Sequence, residues 1–178
     1  MKNSIKKALE LIKSNEQIII PTDTVYGLVC HYDSKSTVEK IYKLKKRSRK
    51  KPLILLGYDW KALKRFVRVG AGLIAPLRKQ WPGPLTVVLP ASKHVPGFLN
   101  KGFKTIGIRV PGNKRLRALL KQCPGKVLAS TSANISGEKD VNKIAKKVKL
   151  FLKAKKGEMS GKPSKIIEIK NGNVKKLR

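Results

Sequence analysis

Residues 4–28 read SIKKALELIKSNEQIIIPTDTVYGL, and the hydrophobic period changes once along them. Ile5, Ala8, Leu9 and Ile12 recur at the spacing of one helix face. Ile18, Ile19 and Ile20 then form a continuous apolar run stopped by Pro21, which predicts a short buried strand. A helix followed by a strand opens the fold, and the polar cluster Pro21-Thr22-Asp23-Thr24-Val25-Tyr26-Gly27-Leu28 follows the strand.

Outward from this stretch the alternation continues. Ser36 and Glu39 have the spacing of a capping box ahead of a helix with Val38, Ile41 and Tyr42, which runs into the basic cluster Lys45 to Lys51. Leu53 to Leu56 returns as a strand. Asp59 is placed to cap a helix with Trp60, Leu63, Phe66 and Val67, and Leu73, Ile74 and Leu77 mark a further short helix. After the Trp81-Pro82-Gly83-Pro84 turn come strands at Leu85–Leu89 and Thr105–Val110, then a helix with Leu116, Leu119 and Leu120 capped by Asn113, then a strand at Val127–Ser130. Asp140 heads an apolar stripe of Val141, Ile144, Ala145, Val148, Phe151 and Leu152, which predicts an amphipathic helix. Ile166–Ile169 and Val174–Leu177 around Asn171-Gly172 read as a hairpin. One α/β domain over residues 1–178 is expected, a twisted mixed parallel/antiparallel sheet flanked by helices.

The chain carries 42 Lys plus Arg against 10 Asp plus Glu, a formal charge of +32, and no acid lies between Asp59 and Glu138. Polyanions are the partners that such a surface attracts, although an AT-rich coding sequence also accumulates lysine. A chain of 178 residues buries roughly 70% of its unfolded surface and needs no metal or disulfide staple. Its apolar runs fall far short of the ~20 residues of a membrane span. The basic N-terminus lacks an apolar core with a cleavage site, and Cys30 and Cys123 form neither a CxxC nor a zinc pattern. Reduced thiols and a cytoplasmic location are expected.

Two motifs invite rejection. Gly70-Ala71-Gly72-Leu73-Ile74-Ala75 fits GxGxxA, but helical residues precede it and no acid follows about 20 residues on to bind a ribose; the glycines read as a helix stop and turn. Gly157, Gly161, Lys162 and Ser164 imitate a P-loop with the glycines one residue too close and Pro163 where the hydroxyl belongs. His31 and His94, the only histidines, sit in no nucleophile or metal motif. Chemistry would therefore rest on cations and backbone dipoles.

Three polar clusters suit such chemistry: Pro21–Leu28, Lys45-Lys46-Arg47 with Lys51-Pro52-Leu53, and Ser130-Thr131-Ser132-Ala133-Asn134-Ile135-Ser136-Gly137. Cations neutralise oxyanions while Ser, Thr and Asn orient them. Taken singly, each has a structural alternative: Thr22 and Ser132 as backbone caps, Lys45 and Arg47 as a solvated helix end, Asn134 as a turn residue.

Together, PTDTVYGL, KKRSRKKPL, WPGPLTVVL, IGIRVPGN, STSANISG and PSKI resemble, in order and spacing, the YrdC-like threonylcarbamoyl-AMP synthase family over nearly the whole chain. The resemblance implies an enzyme that makes threonylcarbamoyl-AMP and pyrophosphate from L-threonine, bicarbonate and ATP. Its product is used, through a downstream threonylcarbamoyl transferase complex, to make N6-threonylcarbamoyladenosine in tRNA. It places the family's KxR on Lys45 and Arg47, implied to hold the ATP phosphates, and its SxN on Ser132 and Asn134, implied ATP contacts. The L-threonine site would comprise Thr22, Arg109, Ser132 and Ser164, with the Arg109 guanidinium on the carboxylate. Lys46, Ser48 and Lys165 depart from the family's KGRP and PST runs. Mg²⁺ would be held mainly by ATP and water, with Asp23 either touching it through water or serving only in a turn. Direct tRNA binding through the basic surface is a further expectation. The competing class is a non-catalytic RNA-binding or ribosome-assembly protein, which would not need Thr22, Ser132 and Asn134. If Lys45 and Arg47 hold phosphate, charge reversal at either abolishes ATP binding and keeps or raises thermal stability.

Overall fold

The computed structural model describes residues 2–100, 102–138, 140–170 and 173–178. Helix α1 (Lys2–Lys13) leads to β1 (Ile18–Pro21), as the change of period predicts. The helix ends in left-handed Asn15, φ 57°. Asn15 N–H donates to the Ile12 carbonyl and Glu16 N–H to that of Leu11, the two bonds of a Schellman cap. Strand β2 (Tyr26–His31) then runs back antiparallel, with Pro21 opposite Tyr26. Tyr26, Gly27 and Leu28 therefore belong to a strand, and the polar loop shrinks to Thr22–Val25. Pro21 ends β1 from inside it, tolerated because β1 lies at the sheet edge.

The remaining elements are α2 (Lys35–Leu44), β3 (Ile54–Gly57), α3 (Trp60–Leu63) with a 3₁₀ turn at Lys64–Phe66, α4 (Ala71–Arg78), β4 (Leu85–Pro90), α5 (Gly97–Asn100), β5 (Thr105–Arg109), α6 (Lys114–Gln122), β6 (Val127–Ser132), α7 (Asn142–Ala145), β7 (Lys165–Lys170) and β8 (Asn173–Lys176). Asp59 and Asn113 cap as expected, accepting from Ala62 N–H at 2.8 Å and Leu116 N–H at 2.9 Å. The capping box at Ser36 is not formed. Ser34 is the N-cap residue, and its hydroxyl pairs with that of Thr37 at 2.8 Å. Gly70 is the N-cap of α4 rather than a helix stop, and the element before it is the Lys64–Phe66 3₁₀ turn, not a strand.

The expected amphipathic helix after Asp140 is the larger departure, since α7 covers only Asn142–Ala145. Continuing it would set Lys143 against Lys147 and Lys149 against Lys153 at i,i+4, with like charges repelling. The chain instead extends, and Phe151 bridges to Ile19: Ile19 N–H donates to Leu150 O and Leu152 N–H to Ile19 O, both at 2.9 Å. The stripe is thus divided: Ile144 is buried from α7 and Leu152 from the extended segment beside β1, with Val141, Ala145, Val148 and Phe151 half-buried.

The eight strands form one sheet in the order β1-β2-β6-β3-β5-β4-β7-β8. Only β3–β5 and β4–β7 pair in parallel. β7 and β8 pair antiparallel with Lys170 opposite Asn173; the expected turn residues Asn171 and Gly172 lie outside the described residues. Both sheet faces carry a core. Ile18, Ile20, Val29 and Leu128 pack with α1 and α6 through Ile12, Leu116 and Leu120, whereas Ile19, Leu28, Leu55 and Val87 pack on the other face with α2 through Val38, Ile41 and Tyr42. Strand residues alternate between these layers with period two. Helices α1 and α6 cover only part of their face, which leaves the rest of it to a cleft.

Candidate active site

That cleft has a volume of about 610 Å³. Its floor continues the α1/α6 face of the sheet beyond those helices: Gly27 of β2, Ser130 and Ser132 of β6, Ile54 and Leu56 of β3, Arg109 of β5 and Thr86 of β4. Gly27 fits because a Cβ there would lie 3.2 Å from Thr22 Cγ2 and 3.4 Å from Ser130 Oγ. The register sets the length of the site. Arg109 is opposite Leu56 and Ser130 opposite Ile54, with Ser132 two residues further towards Pro52. Arg109 and Ser132 are thus about four strand residues apart along β3, roughly 13 Å.

At the first end, β5 delivers Arg109, which is buried. Its Nε donates to Gly83 O at 3.0 Å, Nη1 to Thr24 Oγ1 at 3.0 Å and Nη2 to Asp23 Oδ1 at 2.6 Å. Three of its five N–H groups are committed and one remains on each terminal nitrogen. The second oxygen of Asp23 is buried without a partner. Thr22 organises the turn that presents these groups: its hydroxyl donates to Val25 O at 2.7 Å and accepts from Thr24 and Val25 N–H at 3.0 and 3.2 Å. Ser164, buried, pairs with Thr86 Oγ1 at 3.0 Å.

The second end is built by the cap of α2. Lys46 has φ 48°; its N–H donates to Lys43 O, and Arg47 N–H donates to Tyr42 O. These are again the bonds of a Schellman cap, with a lysine where glycine is usual. The reversal turns Lys45 and Arg47 apart. Lys45 is buried, and its ammonium donates to the carbonyls of Ser132 and Asn134, behind the cleft wall. Burial, with Arg47 adding repulsion, pulls its pKa from 10.5 to about 8. Arg47 is half-buried in the lining; Nε donates to Lys51 O at 2.8 Å and Nη2 to Pro52 O at 3.1 Å. Burial is the main influence that lowers its pKa. Asn134 shapes its own loop, its amide donating to the Ile135 and Glu138 carbonyls.

Of the seven residues singled out in the sequence, Thr22, Arg47, Arg109, Ser132, Asn134 and Ser164 line this one cleft, and Lys45 braces it from behind. Thr24, Thr86 and Arg178 are among the further lining residues that were not singled out. Thr86 carries a faint signal, a hydroxyl within the apolar run Leu85–Leu89; Arg178 carries none. Residues 155–163 close over the first end: Ser160 N–H donates to Asp23 O at 3.2 Å and Gly161 N–H to Thr24 O at 2.8 Å. Glu158 anchors this cover on Asn113 Nδ2 (3.1 Å), Arg115 Nη1 (3.2 Å) and Lys155 N–H (2.7 Å). Among the described residues no three His, Cys, Asp or Glu side chains gather to hold a metal. Cys30 and Cys123 are buried free thiols with pKa values pushed up by burial to about 12, and His31 is held below its usual range, chiefly by burial. No helix is long and apolar enough to cross a membrane.

Known proteins are similar to this chain in sequence and in fold. A threonylcarbamoyl-AMP synthase of Buchnera aphidicola subsp. Acyrthosiphon pisum is 34% identical over 177 residues, 92% of this chain and 98% of that protein. E. coli YciO superposes with a TM-score of 0.88 at 27% identity, covering 100% of this chain and 89% of that one. P. abyssi Sua5, solved in complex with L-threonine, gives a TM-score of 0.87 at 28% identity over 98% of this chain, which spans 53% of the P. abyssi chain. The family model described as telomere recombination, Sua5/YciO/YrdC, matches residues 10–178, and the chain belongs to that family.

Proposed function

We propose that this protein is an L-threonylcarbamoyladenylate synthase, a nucleotidyltransferase that joins L-threonine, bicarbonate and ATP into threonylcarbamoyl-AMP and releases pyrophosphate. The observation that carries the reading is the two-ended cleft, with a buried guanidinium among hydroxyls at one end and Arg47, Ser132 and Asn134 at the other, Arg109 and Ser132 being offset by roughly 13 Å along β3. An amino acid and a nucleotide need such separated anchors, with the reacting atoms between them. The naming of the Buchnera relative and the threonine complex of P. abyssi Sua5 support the same reading.

In this reading the threonine carboxylate takes the remaining N–H groups of Arg109, and the hydroxyls of Thr22 and Ser164 border the amino acid, while Ser132, expected from the sequence to touch it too, stands at the nucleotide end. Bicarbonate captures the threonine amine as a carbamate with loss of water. A carbamate oxygen then attacks the α-phosphorus of ATP, and the bond from that phosphorus to the bridging oxygen of pyrophosphate breaks. Arg47 neutralises charge gathering on the phosphates, Asn134 and Ser132 fix their direction, and Lys45 keeps that loop in place from behind. Mg²⁺ bound on the phosphates would supply further charge neutralisation, held mainly by ATP and water. The cover at residues 155–163 limits water at the first end. The product serves the tRNA modification through a downstream transferase, in the cytoplasm.

Pyrophosphate release from ATP is expected to require both L-threonine and bicarbonate. Serine is expected to be the poorer substrate, since a pocket fitted to the threonine methyl loses about 1–3 kcal/mol without it. Equal turnover with no amino acid present would refute the reading.

A further inference from the structure

A second concavity, of about 430 Å³, opens where β3 and β5 end and shares no lining residue with the cleft. Trp60 and Trp81 stand there with ring centroids 6.4 Å apart and planes inclined by 29°, half-buried rather than sealed in the core. Both are held in place. Trp81 Nε1 donates to Leu85 O at 2.8 Å, and Trp60 opens α3 directly after its Asp59 cap. Arg117 is fixed against Tyr58, its Nη1 donating to the Tyr58 carbonyl at 2.8 Å and its guanidinium 4.7 Å from the ring centroid. Arg78 and Lys79, exposed at the end of α4, have no ion-pair partner among the described residues. Asp59 is the one acid of the lining, and its Oδ1 is occupied by the α3 cap.

A core role accounts for two indoles but not for three cations lining the same pocket with Asp59 as its one acid. A base stacks on an indole face while neighbouring phosphates meet cations, and that pairing of needs is what this pocket meets. An acidic peptide would use the cations and leave the indoles without a matching surface. We infer that this pocket takes a base of a single-stranded nucleic acid, with the flanking phosphates on Arg78, Lys79 and Arg117. The inference stands whether or not the cleft is a synthase site.

The chain has two tryptophans, both in this pocket, so its intrinsic indole fluorescence reports on the pocket alone. Titration of the full chain with a uridine decamer is expected to quench that fluorescence, with an affinity that falls linearly on a log–log plot against salt. Arg78→Glu with Lys79→Glu should weaken the quenching titration by at least about tenfold. Lys6→Glu with Lys7→Glu, the same change of charge on the exposed side of α1, should leave it within about twofold. Decamer binding without any fluorescence change, equal losses in the two double variants, or equal quenching by polyglutamate of matched charge would each overturn the proposal. Should the Arg78/Lys79 variant melt early, the wild-type decamer and polyglutamate titrations decide alone.

Discussion

Lys45 and Arg47 are two residues apart and do different work. Arg47 stands in the cleft wall, so Arg47→Gln should lower pyrophosphate release by the loss of a charge-assisted contact, about 1.5–3 kcal/mol or roughly 10- to 100-fold, with the melting temperature nearly unchanged. Lys45 is buried on two carbonyls, so the expectation that Lys45→Glu would keep the fold is withdrawn: a carboxylate there would face acceptors it repels. The same burial predicts a pH signature. With its pKa depressed from 10.5 to about 8, the unfolded chain binds more protons at this site between those values, and stability from Lys45 rises as pH climbs through that window. Urea titrations of wild type and Lys45→Met at pH 8 and 10.5 check this; the wild type should gain relative to the variant, and a parallel response would disprove it. Six of the seven residues singled out come to line one cleft, because hydroxyls, an amide and an arginine stand out where apolar runs end. The inward turn of Lys45 was not, since a lysine in a basic run gives no sign of burial until the left-handed Lys46 is seen. Thr24 gave no signal and Thr86 only a faint one, because their contacts come from Arg109 of β5 and from Ser164 just before β7.

At the scale of elements, the α2 cap and the cover over the cleft are the parts that set geometry. A left-handed non-glycine residue costs about 1–2 kcal/mol and glycine loses about 0.5–1 through unfolded-state freedom. Lys46→Gly should therefore stabilise by up to about 1 kcal/mol in a chemical melt, and a loss of stability would mean that the Lys46 side chain itself holds the cap. The cover depends on Glu158, whose pKa is lowered: burial pushes it up, but the Lys155 N–H, Asn113 and Arg115 together outweigh burial. A carboxyl depressed on folding stabilises above its unfolded pKa of about 4.5 and loses that contribution as pH falls through its folded value. Amide exchange at Ser160 and Gly161 should accelerate in acid, and Glu158→Gln should show the faster exchange already at neutral pH; unchanged protection in that variant would remove Glu158 from the role. Strands and caps at Asp59 and Asn113 were legible from local period and chemistry. Strand β2 was hidden inside a motif that reads as loop, and α7 was overextended because an apolar stripe does not reveal the cost of lysines stacked one turn apart.

For the whole molecule, a mixed sheet in one α/β domain was legible, but the strand order was not: β6 between β2 and β3, and β5 beside β3, are pairings across long stretches that no local pattern encodes. The two sheet edges are protected in different ways. β1 is shielded by the chain itself, through the Phe151 bridge. β8 has no strand on its outer side among the described residues, all four of its residues are exposed, and Lys175 and Lys176 stand on it. Charged edges repel one another, whereas a neutral open edge is a template for a second copy. Lys175→Thr with Lys176→Thr should convert this rim into a self-pairing one, read as a rise in sedimentation coefficient with concentration; a coefficient equal to that of the wild type would show that the twist of the hairpin suffices. The lysine excess thus has a colloidal duty as well as an attractive one: a polyanion that neutralises this rim would lift the barrier between copies, so that crowding on a long anionic strand favours strand-to-strand association of this protein.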